Sequence, residues 1–342
     1  MAHITLVLPF ALPLPEFAPD LVRALQAPAL GALLSRTSGV QRAPKADIAH
    51  ALPHETWLAR ELGLGPGQEG PTPFAVAAMR GVGLEPGQGR WFIVTPAHIQ
   101  IARSHLMMAD TRQISLEDDD GRALFEAARG LCEEIGHDLR YGDAHTWFLR
   151  ADDWLGFDTA SPDTVANMDL TDFMPKGARA QAYRRLQNEV QMAWHAHPVN
   201  AAREARRLPV VNAFWVWGAA VQAPAPATAL ASYAVPGWLA ALAGRRLDAL
   251  ARLDEVLAQD GLLVAGNLGE AALAADWNGW LQGMQHLEQQ LFAPLLAAVK
   301  DGRVKSLRLV LSSREGLLEA TTGAMAQRKF WRNPTLDLLA RH

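Results

Sequence analysis

The sequence has almost no cysteine and no excess of positive charge. Cys132 is the one cysteine among 342 residues, which excludes an internal disulfide framework and a cysteine-rich zinc site. The formal net charge is −4 at pH 7. This charge argues against a protein that binds nucleic acid through a strong positive field. We therefore expect no nucleic-acid partner.

Long hydrophobic runs are also lacking. Pro9, Pro13 and Pro15 interrupt the apolar start of the chain, and no Lys or Arg precedes Arg23. A signal peptide needs a basic start, and a membrane-spanning helix needs about 20 consecutive apolar residues. Because a single cysteine also fits a reducing compartment, we expect a soluble, cytoplasmic protein with no membrane partner.

The common catalytic and metal-binding motifs are absent too. The sequence contains no HExxH, P-loop or GxSxG motif, and no GxGxxG follows a predicted strand. The acidic run 117–120 lacks the ligand spacing of a calcium loop and suits the first turn of a helix instead. Eleven histidines and thirty-six acidic residues remain, so composition alone does not exclude metal chemistry.

Short apolar runs alternate with helical patterns over much of the chain, which is typical of a mostly parallel sheet flanked by helices. The predicted strands are 3–8, 209–218, 262–265 and 307–311. The spacing of leucines predicts amphipathic helices over 245–257 and 281–295. The fold class predicted from these patterns is α/β.

The middle of the chain has a different character. Predicted hairpin strands surround one helix there, which indicates a compact α+β insertion. We predict a core domain formed by residues 1–73 and 176–342, with residues 74–175 inserted as a cap.

A dense group of polar side chains surrounds the predicted strand 209–218. Arginine presents a planar fork that suits phosphate or carboxylate, so the group is a candidate anion site. Alternatively, the arginines lie on solvated helix faces and the asparagines satisfy the backbone of loops. The candidate ligand-binding residues are Lys176, Arg179, Asn200, Arg203 and Asn212, with His197 beside them as a candidate base.

The segment HPVNAAREARRLPVVNAFWVWG (197–218) resembles part of the archaeal-type cofactor-independent phosphoglycerate mutases, a branch of the alkaline phosphatase superfamily. It also resembles the bacterial family labelled regulatory protein RpfE. Weaker similarity to the mutases follows in the same order at 26–39, 82–95, 114–125 and 280–316. The resemblance implies an alkaline-phosphatase-like α/β core with a cap insertion.

The chain departs from the mutase pattern where the chemistry would lie. The family binds two divalent metals through Asp and His at strand ends and uses a Ser as phosphoryl acceptor. The corresponding turns here read Leu8-Pro9-Phe10 instead of Asp-Gly, Leu52-Pro53-His54-Glu55 instead of Ser-Asp, and Ser312-Ser313-Arg314-Glu315-Gly316 instead of an Asp-His-Gly-like turn. The family's D-x-x-x-H-D-G segment corresponds to residues 274–280, in which Asp276 remains. Of the matching positions, His54, Glu55 and Asp276 could still bind a metal, and Arg314 could hold a phosphate.

Three hypotheses follow from these departures. The first is a pseudoenzyme of the mutase fold that has lost its metal site, needs no cofactor and binds a small anionic ligand or a partner in a regulatory role. The second is a divergent mutase or phosphatase in which His54, Glu55 and Asp276, with His195 or His197, hold a divalent metal. The third is a metal-independent enzyme with His197 as base and Arg203 as anion clamp. The sequence is compatible with a homodimer.

Overall fold

A computed structural model describes residues 2–44, 50–65, 72–102, 105–157, 159–176, 178–224 and 229–340. The strands, in chain order, are β1 (Ala2–Leu8), β2 (Gly39–Pro44), β3 (Trp91–Ala97), β4 (Ile99–Ala102), β5 (His105–Met108), β6 (Asp138–Asp143), β7 (Thr146–Arg150), β8 (Ala213–Ala220), β9 (Leu230–Tyr233), β10 (Arg245–Leu247), β11 (Gly261–Ala265), β12 (Val304–Ser312) and β13 (Gly316–Gly323).

The α-helices are α1 (Ala18–Ala24), α2 (Pro28–Ser35), α3 (Pro53–Glu61), α4 (Ala75–Gly81), α5 (Asp118–Glu134), α6 (Pro162–Val165), α7 (Ala178–His195), α8 (Pro198–Ala205), α9 (Gly237–Leu242), α10 (Leu253–Leu257), α11 (Gly269–Leu273), α12 (Trp277–Leu287), α13 (Ala293–Lys300), α14 (Ala324–Gln327) and α15 (Asp337–Ala340). A π-helical turn, Glu288–Phe292, joins α12 to α13. Across the described ranges, no helix is long and apolar enough to cross a membrane.

The chain divides into two compact units. The first contains Met1–Asp47, Leu52–Trp57 and Pro226–His342, and the second contains Ile48–Ala51 and Leu58–Ala225. This division differs from the boundaries expected from the sequence, which placed residues 176–225 in the core. Those residues form α7, α8 and β8, and β8 pairs with β3 of the second unit.

The first unit is built on a seven-stranded sheet in the order β10-β9-β11-β1-β12-β13-β2. The strands β10, β9, β11, β1 and β12 are parallel to one another. β13 pairs antiparallel with β12, and β2 pairs antiparallel with β13. Val7 of β1 lies opposite Val264 of β11 and Val310 of β12. All three valines are buried, as expected for a central parallel strand covered on both faces. The predicted α/β class with a mostly parallel sheet is confirmed.

The parallel strands bring several turns to one edge of this sheet. The carboxyl ends of β1, β11 and β12 are followed by Pro9, Gly266 and Ser313 respectively. Open α/β sheets bind their ligands outside the carboxyl ends of the strands. This edge is therefore where the first unit can place a site.

The second unit contains a four-stranded sheet in the order β6-β7-β3-β8, whose pairs are all antiparallel. One face packs with helices α5 and α7 around a cluster of buried aromatic residues that includes Trp147, Trp194 and Phe214. A separate hairpin, β4–β5, completes the strands of this unit.

Two predictions of local structure were wrong. The run 209–218 was predicted as a strand of the parallel sheet, but β8 is an antiparallel strand that reads as continuously apolar because both of its faces are buried. The run 245–257 was predicted as one helix. It forms β10, a 3₁₀ turn and α10, although the leucines that suggested a helix are buried as expected.

Candidate functional site

In the second unit, Asn200 and Arg203 hold the backbone of their own neighbourhood together. Asn200 Nδ2 donates to the carbonyl oxygens of Trp194 (2.9 Å) and Val211 (2.8 Å), and its Oδ1 accepts from the N–H of Val211 (2.8 Å). The asparagine is 3% exposed. Its amide therefore fixes the end of α7 to the start of the β8 segment.

Arg203 has the same kind of partners. Its Nε donates to the Pro209 carbonyl at 2.8 Å, its Nη1 to the Ser115 carbonyl at 3.4 Å, and its Nη2 to the Ile114 carbonyl. The residue is 2% exposed, and burial lowers the pKa of its guanidinium. The guanidinium of Arg203 donates to three backbone carbonyls inside the protein and so stabilises the fold. This geometry does not support Arg203 as an anion clamp.

The remaining candidates of this group have separate contacts, although Asn212 and Asn200 line the same cavity of about 360 Å³. His197 precedes α8 and its Nδ1 accepts from the N–H of Val199 at 3.2 Å, which is a helix-capping contact. Asn212 exchanges two hydrogen bonds with the backbone of Ile99. Lys176 and Arg179 are exposed, and Arg179 Nη1 lies 3.5 Å from Asp153 Oδ2.

In the first unit, a buried polar pair lies at the carboxyl edge of the sheet. His54 Nδ1 is 3.0 Å from the Oγ of Ser312, the last residue of β12. His54 is 4% exposed and Ser312 is fully buried. The histidine reaches this position because Pro53 begins α3, so that His54 lies in its first turn.

Phe10 completes this pair on the side of β1. Its ring contacts the His54 ring edge-on, with centroids 5.6 Å apart and an interplanar angle of 65°. Phe10 has a φ of 60°, a left-handed conformation that favours glycine and that a bulky residue rarely adopts. Trp280 Nε1 donates to the Phe10 carbonyl at 2.9 Å and so helps to hold the turn. We call His54, Ser312 and Phe10 the edge cluster.

The other candidates of the first unit have separate roles. Glu55 is buried, and its Oε2 accepts from the N–H of Leu52 at 2.8 Å, which caps α3. Asp276 is exposed, and its Oδ1 accepts from the N–H of Gly279 to cap α12. Arg314 is half-buried in the turn from β12 to β13, two residues after Ser312.

The donor set at the edge cluster does not fit a pair of divalent metals. Such a pair needs several carboxylate and imidazole ligands that surround two metal ions lying close together. The edge cluster offers one imidazole, one hydroxyl and an aromatic ring. Within the described parts of the chain, no three His, Cys, Asp or Glu side chains are grouped closely enough to hold a metal ion.

Ser312 and Phe10 are the two members of the edge cluster that sequence reasoning did not select, and Ser312 is the one with a polar side chain. It was noted as part of a changed turn, and its hydroxyl was not considered as a partner for His54. The available signal was its position at the end of a predicted parallel strand, where sites of this fold class lie.

A separate groove of about 880 Å³ lies wholly within the second unit. It is lined by the end of α5, the start of β6, the end of β7 and one side of α7. His137, Asp152, Asp153 and Arg185 are among its lining residues. Burial lowers the pKa of His137, against the opposing effect of Asp153 and Asp152. Arg185 pairs with Glu189, and Asp152 pairs with Arg150.

Comparison with known proteins identifies structural neighbours only. No protein-family model matches the chain, and no curated protein matches it. The structure of the PH0037 protein from Pyrococcus horikoshii matches with a TM-score of 0.53 and 12% identity, over 94% of this chain and 87% of that one. The two proteins share a fold.

A second solved structure matches with a lower TM-score. The cofactor-independent phosphoglycerate mutase from Thermoplasma acidophilum DSM 1728 matches over 99% of this chain and 94% of that one, with 14% identity. Its TM-score of 0.45 is too low to assign the fold.

Proposed function

We propose that this chain is a regulatory protein with a phosphoglycerate-mutase-like fold and no two-metal phosphoryl-transfer site, and that it binds a small anionic, phosphorylated ligand. The resemblance of residues 197–218 to the mutases and to the regulatory protein RpfE family supports the fold and the role. The mostly parallel sheet of the first unit, in which the strand ends of the family would hold the metals, is consistent with it.

One observation carries the proposal, namely the composition of the edge cluster. Pro9 and Phe10 stand where the family ends its first strand with Asp-Gly, and the positive φ of Phe10 marks a position that suits glycine. Pro9 therefore stands where the resemblance implies the aspartate, the Phe10 ring packs against His54, and the His54 Nδ1 lies within hydrogen-bonding distance of Ser312. An apolar ring and a hydroxyl are poor replacements for metal-binding carboxylates.

The ligand site that we propose is the same edge of the sheet. Arg314 lies in the turn that follows β12, two residues after Ser312. Guanidinium pairs with phosphate or carboxylate through two parallel hydrogen bonds. In this proposal Arg314 is the principal contact of the anion, and His54 is a second polar contact at the same edge of the sheet.

Metal analysis tests the loss of the metal site. We expect the purified protein to retain less than one equivalent of manganese or zinc and to show no mutase activity when either metal is supplied. Two tightly bound equivalents together with mutase activity would show that the proposal is wrong.

Thermal unfolding in the presence of 3-phosphoglycerate or inorganic phosphate tests the ligand site. A ligand that binds only the folded state at 100 times its Kd stabilises that state by about 2.7 kcal/mol. We expect Arg314→Gln to abolish this stabilisation. Arg303→Gln is the matched control, because Arg303 is an exposed arginine that precedes the opposite end of β12. Equal loss in both variants would contradict a specific site.

A second candidate function rests on the His54–Ser312 hydrogen bond. An imidazole within hydrogen-bonding distance of a serine hydroxyl is the arrangement of a base and a nucleophile. The alternative is therefore a divergent mutase or phosphatase, and a divalent metal belongs only to this alternative. Hydrolysis of a chromogenic phosphomonoester by the native chain, lost in Ser312→Ala but retained in Ser306→Ala, would favour it.

A further inference from the structure

The segment between β13 and α15 exposes three large apolar side chains. Met325, Phe330 and Trp331 are 74%, 81% and 68% exposed. The rings of Phe330 and Trp331 touch at nearly a right angle, with centroids 5.3 Å apart. We call these two residues the aromatic tip. Side chains of this size are seldom left so exposed without an interaction to serve.

The aromatic tip is held by an ordered base. Gln327 Nε2 donates to the Ala32 carbonyl at 3.2 Å, before the tip. After it, the N–H of Thr335 donates to Ser35 Oγ at 2.8 Å, and Ser35 Oγ donates to the Thr335 carbonyl at 3.0 Å. Both attachments are made to α2, a helix with most of its residues buried. The segment is therefore hydrogen-bonded to α2 on both sides of the aromatic tip.

The segment that carries the aromatic tip holds charge of one sign, between Glu319 and Asp337. Residues 320–336 contain no Asp or Glu, and they contain Arg328, Lys329 and Arg332. Lys329 Nζ donates to the Thr37 carbonyl at 3.0 Å, and Arg332 Nη1 donates to the Ser35 carbonyl at 3.3 Å. These partners are neutral. The segment 320–336 is therefore basic within a chain whose net charge is −4.

We propose that the aromatic tip and its three cations form a docking surface for an anionic lipid membrane. Tryptophan and other aromatic rings are favoured at the level of lipid headgroups. Basic residues near the surface are attracted to anionic headgroups. Insertion of the aromatic rings and attraction of the cations to anionic lipids would together hold the protein at the membrane surface.

The geometry favours a lipid surface over the other anionic partners. An acidic peptide is usually bound in a groove or along a free strand edge, whereas rings that are 81% and 68% exposed stand out from the surface. Single-stranded nucleic acid needs a basic track several nucleotides long, and the cations here lie within five consecutive residues. From the sequence we expect no membrane partner, because it lacks a spanning segment; this proposal departs from that expectation, since peripheral docking requires no such segment.

Co-sedimentation of the full chain with vesicles tests the proposal. We expect binding to vesicles of phosphatidylcholine and phosphatidylserine in equal parts, weak binding to phosphatidylcholine alone, and loss of binding at high salt. Phe330→Ser with Trp331→Ser should lower the partition coefficient about tenfold or more, because two apolar side chains no longer insert. Arg328→Glu should also lower it about tenfold or more, because an attraction becomes a repulsion.

Exposed residues elsewhere provide matched controls. Met192 is 75% exposed in the second unit, and Arg23 is an exposed cation on α1. Met192→Ser and Arg23→Glu should bind vesicles as the native chain does, and all variants should melt at the same temperature. The proposal is overturned if the native chain ignores anionic vesicles, if the tip variant binds them normally, or if polyglutamate or a single-stranded oligonucleotide is retained in their place.

Discussion

The guanidinium of Arg203 and the carbonyl oxygen of Pro209 are joined by a hydrogen bond of 2.8 Å that closes the turn between α8 and the β8 segment. The same side chain reaches the carbonyls of Ser115 and Ile114 at the end of a 3₁₀ turn. A residue that stands out in the sequence as a candidate anion ligand is therefore a buried crosslink between two segments 88 residues apart. The region 197–218 that resembles the mutases is organised around it.

Replacing Arg203 should destabilise the protein strongly. In Arg203→Met, three backbone carbonyls lose their donor in a buried setting, and we expect a loss of about 3–5 kcal/mol in the free energy of unfolding. Urea denaturation followed by tryptophan fluorescence measures it. Arg206→Met is the control, because Arg206 lies exposed at the end of the same helix and should change stability by less than about 0.5 kcal/mol. A small effect at Arg203 would contradict the bracing role.

Asn200→Ala separates a structural role from ligand binding. The amide makes three buried hydrogen bonds to backbone groups, so the variant should lose about 2–3 kcal/mol of stability. The ligand-induced rise in melting temperature with inorganic phosphate should stay unchanged. The opposite result, normal stability with a lost phosphate effect, would restore Asn200 as a ligand-binding residue.

The parallel part of the fold was predictable because its strands are short apolar runs bounded by turns. β1, β11 and β12 lie at the predicted positions to within a few residues. β2 was missed, because all six of its residues are exposed and it carries no burial pattern to read. β8 was assigned to the wrong sheet, since an antiparallel strand covered on both faces has the same apolar sequence as a parallel one.

The edge cluster was only half predictable. The lack of acidic residues directly after β1 and at the end of β12 is visible in the sequence, and His54 was selected through the resemblance to the mutases. Its partner Ser312 is 258 residues away, and the pairing depends on where α3 begins relative to the end of β12. Local sequence patterns do not show which residues so far apart in the chain meet in the fold. For the same reason, the sequence could not show that Asn200 and Arg203 turn toward the backbone.

Cys132 should be inert in the native protein. The thiol is buried in α5 next to Glu133, and burial, with a contribution from that carboxylate, raises its pKa to about 12. The thiolate is the reactive form, so native protein should not react with Ellman's reagent at mildly alkaline pH. Protein unfolded in guanidinium should release one equivalent of colour at once. Rapid reaction of the native chain would show that this part of the second unit opens readily.

Acid should destabilise the second unit through His145. Burial lowers the pKa of this imidazole, with Arg203 adding to the effect, while Asp143 and a backbone contact at Leu116 oppose it. Because the folded state binds the proton less tightly than the unfolded state, stability is full above the unfolded pKa of about 6.5. It falls as the pH drops below that value and levels off below the folded pKa.

Urea midpoints measured between about pH 7.5 and pH 5 should therefore decline less steeply in His145→Gln than in the native chain. His195→Gln, at the exposed end of α7, is the control and should leave the native slope unchanged. If the slopes of His145→Gln and the native chain were equal, the acid sensitivity would have to come from other groups.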